Sequence, residues 1–218
     1  MAENLTHAVI IRLHYSPDDP RFSWRLAFFK SMVLPRLLNQ TNQDFEIWIV
    51  CHPEHTDLIK GLSEKIRVCP MPTFPAPEEA RLHGFKNHIP HDLPQFDIQT
   101  AHDSDDLVSL NYIAKIKEEI AKSPDKTLLV TFQPYKLALF TLKRYGMYER
   151  YGDGKCSMFY SLYQPDRANY QSIFNFDHSF IGHWCNNIVC IPEGYCDMVI
   201  HGANWMTGIE PNMGEVHA

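Results

Sequence analysis

Apolar and polar positions along the chain fall into blocks that alternate between strand and helix character. Ala8-Val9-Ile10-Ile11-Arg12-Leu13 is a short apolar run of the kind that forms a buried strand. Residues 14–21 carry Pro17 and Pro20 and read as a loop. Over residues 22–39, Trp24, Phe28, Val33 and Leu37 recur at helical spacing, and Pro35 is set to kink that helix or open a second segment. Phe45-Glu46-Ile47-Trp48-Ile49-Val50 is a second apolar run. Strand, helix and strand in that order predict a parallel α/β sheet.

The spacing next predicts a short helix over 55–65 and a short strand over 66–69. Residues 70–94 are rich in proline, histidine and charge, with one short helical stretch at 78–85, and read as a substrate-side loop. A strand at 96–100 and a helix at 107–121 follow, the helix with Ile113, Ile116 and Ile120 on one face. The second half changes character. Short strands are predicted at 128–132, 156–162, 188–191 and 197–201, while 136–140 and 146–151 read as short strands or irregular pieces around a turn. Between them lie an aromatic loop at 163–174, with a short helix, and a helical piece at 178–184. We expect one domain over residues 1–218, built on one continuous sheet, with its two halves dividing at residue 106.

Charge and cysteine usage narrow the functional classes. The net charge is -6, so no global basic field draws the chain to nucleic acid. Six cysteines lie apart from one another with no CxxC pair, which points to buried free thiols in a reducing compartment rather than a disulfide framework or a zinc site. No signal peptide and no stretch of membrane-spanning length is visible. The expected location is cytoplasmic, with peripheral contact at the inner membrane face left open.

The chemistry concentrates in Asp103-Ser104-Asp105-Asp106, between a predicted strand and the predicted helix. Capping a helix needs one carboxylate; three within four positions repel one another unless a cation sits among them. A divalent metal holding a diphosphate is the cation that suits this place. One carboxylate would then contact sugar or ribose hydroxyls, and another would bind the metal. Arg12 ends an apolar strand, where ligand loops begin, and with Arg21 and Arg25 it offers the guanidinium groups that two phosphates need.

Several short segments together carry a family resemblance. They are the first strand running into Arg12 and its proline-containing loop, Trp24-Arg25-Leu26-Ala27-Phe28-Phe29, Val33-Leu34-Pro35, and Gln40-Thr41 ahead of Phe45-Glu46-Ile47-Trp48. Thr100-Ala101-His102-Asp103-Ser104-Asp105-Asp106 and Met198-Val199-Ile200-His201-Gly202-Ala203-Asn204 complete the set. The acidic run resembles the DxD element of GT-A glycosyltransferases, and the whole layout is similar to the bacterial family described as "putative rhamnosyltransferase". Ala101 and His102 depart from that family's pattern, which has arginine and leucine there.

The resemblance implies a GT-A fold with a single mixed central sheet flanked by helices. It implies a metal-dependent glycosyltransferase that moves rhamnose or another hexose from a nucleoside diphosphate sugar to a glycan or lipid-linked saccharide, in polysaccharide biosynthesis. Arg12, Arg25, Asp103 and Asn204 are the expected donor contacts. Asp105, Asp106 and His201 are the expected ligands of Mn2+ or Mg2+. An inverting transfer needs a base for the acceptor hydroxyl, and Asp177, between large apolar residues, is the candidate, with Asp153, Asp166 and His178 as competitors. His52, Glu54 and Asp57 follow the second strand and are candidates for base recognition.

Three alternatives stay open at this stage. A nucleotidyltransferase uses similar carboxylates but wants a glycine-rich phosphate loop, and residues 14–20 contain no glycine. A nucleotide-sugar-binding module without turnover is the non-enzymatic reading. The chain also reads as one domain of a larger transferase.

Overall fold

The computed structural model describes residues 5–13, 15–71, 93–132, 135–139, 144–148, 159–175, 185–192 and 196–200. Strand β1 (His7–Arg12) is followed by helix α1 (Arg21–Phe28), a π-helical turn (Phe29–Val33) and helix α2 (Leu34–Leu38). Strand β2 (Glu46–Cys51), a 3-10 turn (Pro53–His55), helix α3 (Thr56–Lys60) and strand β3 (Ile66–Pro70) come next. Strand β4 (Ile98–Asp103), the two-residue β5 (Leu107–Val108), helix α4 (Tyr112–Ala121) and β6 (Leu128–Phe132) follow. The remaining strands are β7 (Tyr135–Leu139), β8 (Arg144–Tyr148), β9 (Tyr160–Tyr163), β10 (Ile188–Ile191) and β11 (Cys196–Ile200).

Seven strands form a mixed central sheet in the order β10-β6-β9-β4-β1-β2-β3. β1 to β4 run parallel, and β9 lies antiparallel between β4 and β6. The chain moves outward from β1 to β2 and β3, then returns to place β4 on the other side of β1. That reversal opens a crevice at the carboxyl ends of β1 and β4, the place where open α/β sheets bind ligands. One expectation is corrected here: the second half does not join a single continuous sheet throughout. It gives β6, β9 and β10 to the central sheet, while β5, β11, β7 and β8 form a separate four-stranded sheet.

The central sheet is buried on both sides, so its strands read as apolar runs. Val9, Ile11, Ile47, Ile49, Ile98 and Val130 pack with α1, α2 and α4 on one side. Ala8, Ile10, Ala101, Leu129 and Leu162 pack on the other. The inward stripe of α1 is Phe22, Arg25 and Leu26, continued by Phe29 in the π turn. Trp24, expected on that stripe, lies 40% exposed and stacks on Phe28. Pro35 does divide the long helix expected over 22–39. It has no N–H for the helical ladder, and the π turn before it shifts the bonding so that the Leu34 amide donates to the Phe29 carbonyl.

The expected helix over 107–121 starts later. Leu107 and Val108 pair with Asp197 and Cys196 of β11, so tertiary pairing overrides local helical spacing. The helix then opens at Tyr112, where Gln40 sets its position. The Gln40 side chain, 3% exposed, accepts the Ile113 amide at 3.0 Å and donates to the Ser109 carbonyl at 2.7 Å. It therefore caps a helix lying 73 residues away in sequence. Thr41 N–H to Leu110 carbonyl (2.7 Å) and Arg36 to Val108 carbonyl (3.3 Å) tie down the same stretch. Among the described residues, no helix is long and apolar enough to cross a membrane.

Replacing Gln40 by leucine takes a partner from the buried Ile113 amide and from the part-buried Ser109 and Arg36 carbonyls. We expect a loss of about 1–3 kcal/mol in urea unfolding, with the m-value unchanged.

Candidate functional site

β4 runs three residues beyond its expected end at Thr100 and takes Asp103 into the sheet. The register places Arg12 of β1 directly beside Asp103. The Arg12 guanidinium lies 3.4 Å from the Asp103 carboxylate, and both side chains are part exposed. The backbone then turns: the Asp106 amide donates back to the Asp103 carbonyl at 3.4 Å. The acidic run is thus a tight turn straddling the end of a central strand, at the crevice between β1 and β4.

Ser104, Asp105 and Asp106 are all buried in that turn. Asp105 makes an ion pair with Arg25, and both side chains are almost fully buried. Arg25 is positioned by α1, whose apolar neighbours Phe22 and Leu26 anchor the helix on the sheet. Arg21 instead folds back on Asp19 at 2.6 Å, and Asp19 also accepts the Arg21 amide at the helix start. Hydrogen bonds from Arg21 hold the Asp19 carboxyl below its usual range.

Tyr15 follows β1 and stands among these charges. Burial raises its phenol; Arg25 and Arg21 oppose the rise, while Asp105 and Asp103 add to it. Sequence reading missed Tyr15; the available signal was an aromatic residue in the proline loop right after the first strand. His102 is buried under the turn. Its Nδ1 donates to the Asp103 carbonyl at 2.6 Å, which fixes the tautomer, and burial holds its pKa below the usual value. Ala101, which stands where the resembled family has arginine, is buried, with Ile10 of β1 and Tyr160 of β9 as its register partners.

Beyond β2, the His52 Nδ1 accepts the Glu54 amide at 3.3 Å, capping the short turn. His55 stacks on Phe22 with ring centres 3.6 Å apart, and burial lowers its pKa. The Phe174 ring lies 5.8 Å from the Arg12 guanidinium. Sequence reading gave Phe174 no role, and nothing local distinguishes it from a core aromatic.

Of the predicted site residues, Arg12, Arg25, Asp103, Asp105 and Asp106 come together at this turn. Asp177, His201 and Asn204 lie outside the described residues, as do the competitors Asp153 and His178. Asp166 caps the 3-10 turn Arg167–Asn169 by accepting the Ala168 amide at 2.9 Å. Among the described residues, no three His, Cys, Asp or Glu side chains are grouped to hold a metal ion. The acidic turn itself offers hard oxygen donors of the kind Mg2+ and Mn2+ prefer, with Asp105 engaged by Arg25.

A profile of the family described as "Putative rhamnosyl transferase" matches residues 3–190. A comparison with curated proteins finds no match. Among solved structures, S. aureus TarS 1-349 in complex with UDP-GlcNAc superposes with a TM-score of 0.55 at 11% identity, over 90% of this chain and 59% of that one. The complex of TarS 1-349 with UDP gives 0.52 at 12% identity, over 90% and 60%. A crystal structure of S. aureus TarS gives 0.51 at 10% identity, over 90% of this chain and 37% of that one. This chain therefore spans less than two thirds of the length of these neighbours. The likeness shows a shared GT-A-like α/β fold, as expected from the sequence.

Substituting Arg25 by methionine removes one half of a buried pair and leaves the Asp105 carboxylate behind. We expect a destabilisation of about 3–5 kcal/mol at neutral pH. The double substitution Arg25→Met with Asp105→Leu should recover much of it in the same denaturant titration.

Proposed function

The chain belongs to the family described as "Putative rhamnosyl transferase", and from that premise we propose that it transfers a sugar from a nucleoside diphosphate sugar to a hydroxyl acceptor. The observation that carries the reading is the meeting of Arg12, Arg25 and the acidic turn at the crevice between β1 and β4. UDP-GlcNAc and UDP are bound by TarS in two of its structures, which supports a nucleoside diphosphate sugar as the donor class here. Rhamnose or another hexose is the sugar, and a glycan or lipid-linked saccharide is the acceptor. The chain is read as one domain, donor half 1–106 and acceptor half 107–218, working in the cytoplasm or at the inner membrane face.

Each residue has a task in this reading. Arg12 and Arg25 receive the two phosphates, the fork of each guanidinium matching phosphate oxygens. Asp103 accepts hydrogen bonds from sugar or ribose hydroxyls, and Asn204 contacts the diphosphate or the sugar. Asp105 and Asp106, completed by His201, would hold Mn2+ or Mg2+. Such a cation, when bound, neutralises charge developing on the leaving diphosphate. Asp177 takes the proton from the acceptor hydroxyl as it attacks the anomeric carbon, which inverts that centre. The buried Arg25–Asp105 pair favours a second reading, in which Asp105 stays with Arg25, the part-exposed Arg12 supplies that positive charge and transfer is independent of metal.

Isothermal titration with UDP, GDP and dTDP, each with and without Mn2+, tests the donor site. We expect one of the three to bind, and Arg12→Ala to weaken it by about tenfold to a hundredfold. Binding that needs Mn2+ supports the metal reading; binding indifferent to it supports the metal-independent one. No binding of any of the three by folded protein would sink the donor-site assignment.

Asp177→Asn should leave nucleotide binding intact and lower transfer by about a hundredfold or more. Unchanged transfer, followed as release of nucleoside diphosphate in the presence of acceptor, would remove Asp177 from the mechanism.

A further inference from the structure

Gln99 is a buried amide in the middle of β4, a position that an apolar side chain would fill at lower cost. Its hydrogen bonds go to one loop. Nε2 donates to the Gln171 carbonyl at 2.9 Å, and Oε1 accepts the Ile173 amide at 3.0 Å. Gln164, equally buried, grips the same loop from the end of β9. It donates to the Gln171 carbonyl at 2.7 Å and accepts the Gln171 amide at 2.8 Å. The Ile173 amide opens a 3-10 turn (Ile173–Asn175), so Gln99 caps that turn from the strand it packs on.

What the clasp holds is the neighbour of Arg12. Ile173 is sunk in the core, and Phe174 beside it sets its ring 5.8 Å from the Arg12 guanidinium. Alternation along β4 puts Gln99, Ala101 and Asp103 on one face, so the clasp and the Arg12–Asp103 pair share that face. Arg12 is thereby held between a carboxylate and an aromatic ring. A free arginine side chain gives up rotamer entropy when it is fixed on a ligand, and a guanidinium already held gives up less.

We propose that Gln99 is a positioning residue for donor binding. By capping Ile173 it sets Phe174 against Arg12, and Phe174 keeps the guanidinium oriented for the donor's diphosphate. This rests on the transferase reading above.

The test uses the nucleoside diphosphate that binds best among UDP, GDP and dTDP, together with its parent nucleoside as a ligand without phosphate. Gln99→Met removes both hydrogen bonds at similar volume; Phe174→Leu removes the ring and leaves the clasp. We expect each variant to weaken the diphosphate by about threefold to thirtyfold and to leave the nucleoside's affinity, followed by NMR titration, unchanged. Equal weakening of both ligands would mean a general structural defect and overturn the proposal, as would wild-type diphosphate affinity in both variants. If Gln99→Met fails to fold, Phe174→Leu decides alone. Failure of the wild-type protein to bind any of the three diphosphates would remove the donor site and this inference together. Wild-type binding that survives in the variants removes the inference only.

Discussion

The arrangement of this molecule turns on how it keeps negative charge buried at the end of a central strand. Asp105 and Asp106 are almost fully withdrawn from water. An isolated carboxylate in that position would cost several kcal/mol. Arg25 answers for Asp105, and it arrives there only because α1 lays Phe22 and Leu26 on the sheet on either side of it. The apolar face of one helix thus determines whether the acidic turn can exist. The same requirement explains why an arginine stands on the buried stripe of α1, where helical periodicity alone would ask for leucine.

Topology decides which charges meet. A return from β3 to β4 on the far side of β1 brings residues 12 and 103 into register, 91 positions apart. No local pattern encodes that pairing; it follows from sheet order. Once the register is set, Arg12 and Asp103 pair while part exposed, and Arg25 and Asp105 pair while buried. The turn therefore has an outer, hydrated pair suited to exchange partners with a ligand. It also has an inner, dehydrated pair whose separation would be far more costly.

The sequence made the strands of the first half legible because a doubly covered sheet writes itself as uninterrupted apolar runs. The acidic turn and Arg12 were legible for the same reason, since polar residues at the ends of such runs stand out. Helix faces were harder. Trp24 satisfied the spacing yet lies outside, because Phe22, Leu26 and Phe29 fit the same period and bury a stripe that includes an arginine. The start of α4 was misplaced by several residues, since Leu107 and Val108 are apolar enough for either element and only their partner β11 decides. Tyr15 and Phe174 could not be singled out, because their surroundings are assembled from distant segments. The roles proposed for His201 and Asn204 rest on the family resemblance, and that of Asp177 on a carboxylate placed between large apolar residues.

Two glutamines show why such distant assembly leaves little local trace. Gln40 caps α4 just after the acidic turn, and Gln99 caps the turn that carries Phe174. Each accepts a backbone amide more than seventy residues away and also donates to a carbonyl of the same segment. A short capping side chain such as serine acts only on its own helix. A buried glutamine reaches far enough to do so from a strand or between helices, and an amide that both donates and accepts specifies one docking geometry where an apolar contact would tolerate several. Gln40 thereby fixes the segment that follows the acidic turn, and Gln99 the segment that sets Phe174 beside Arg12.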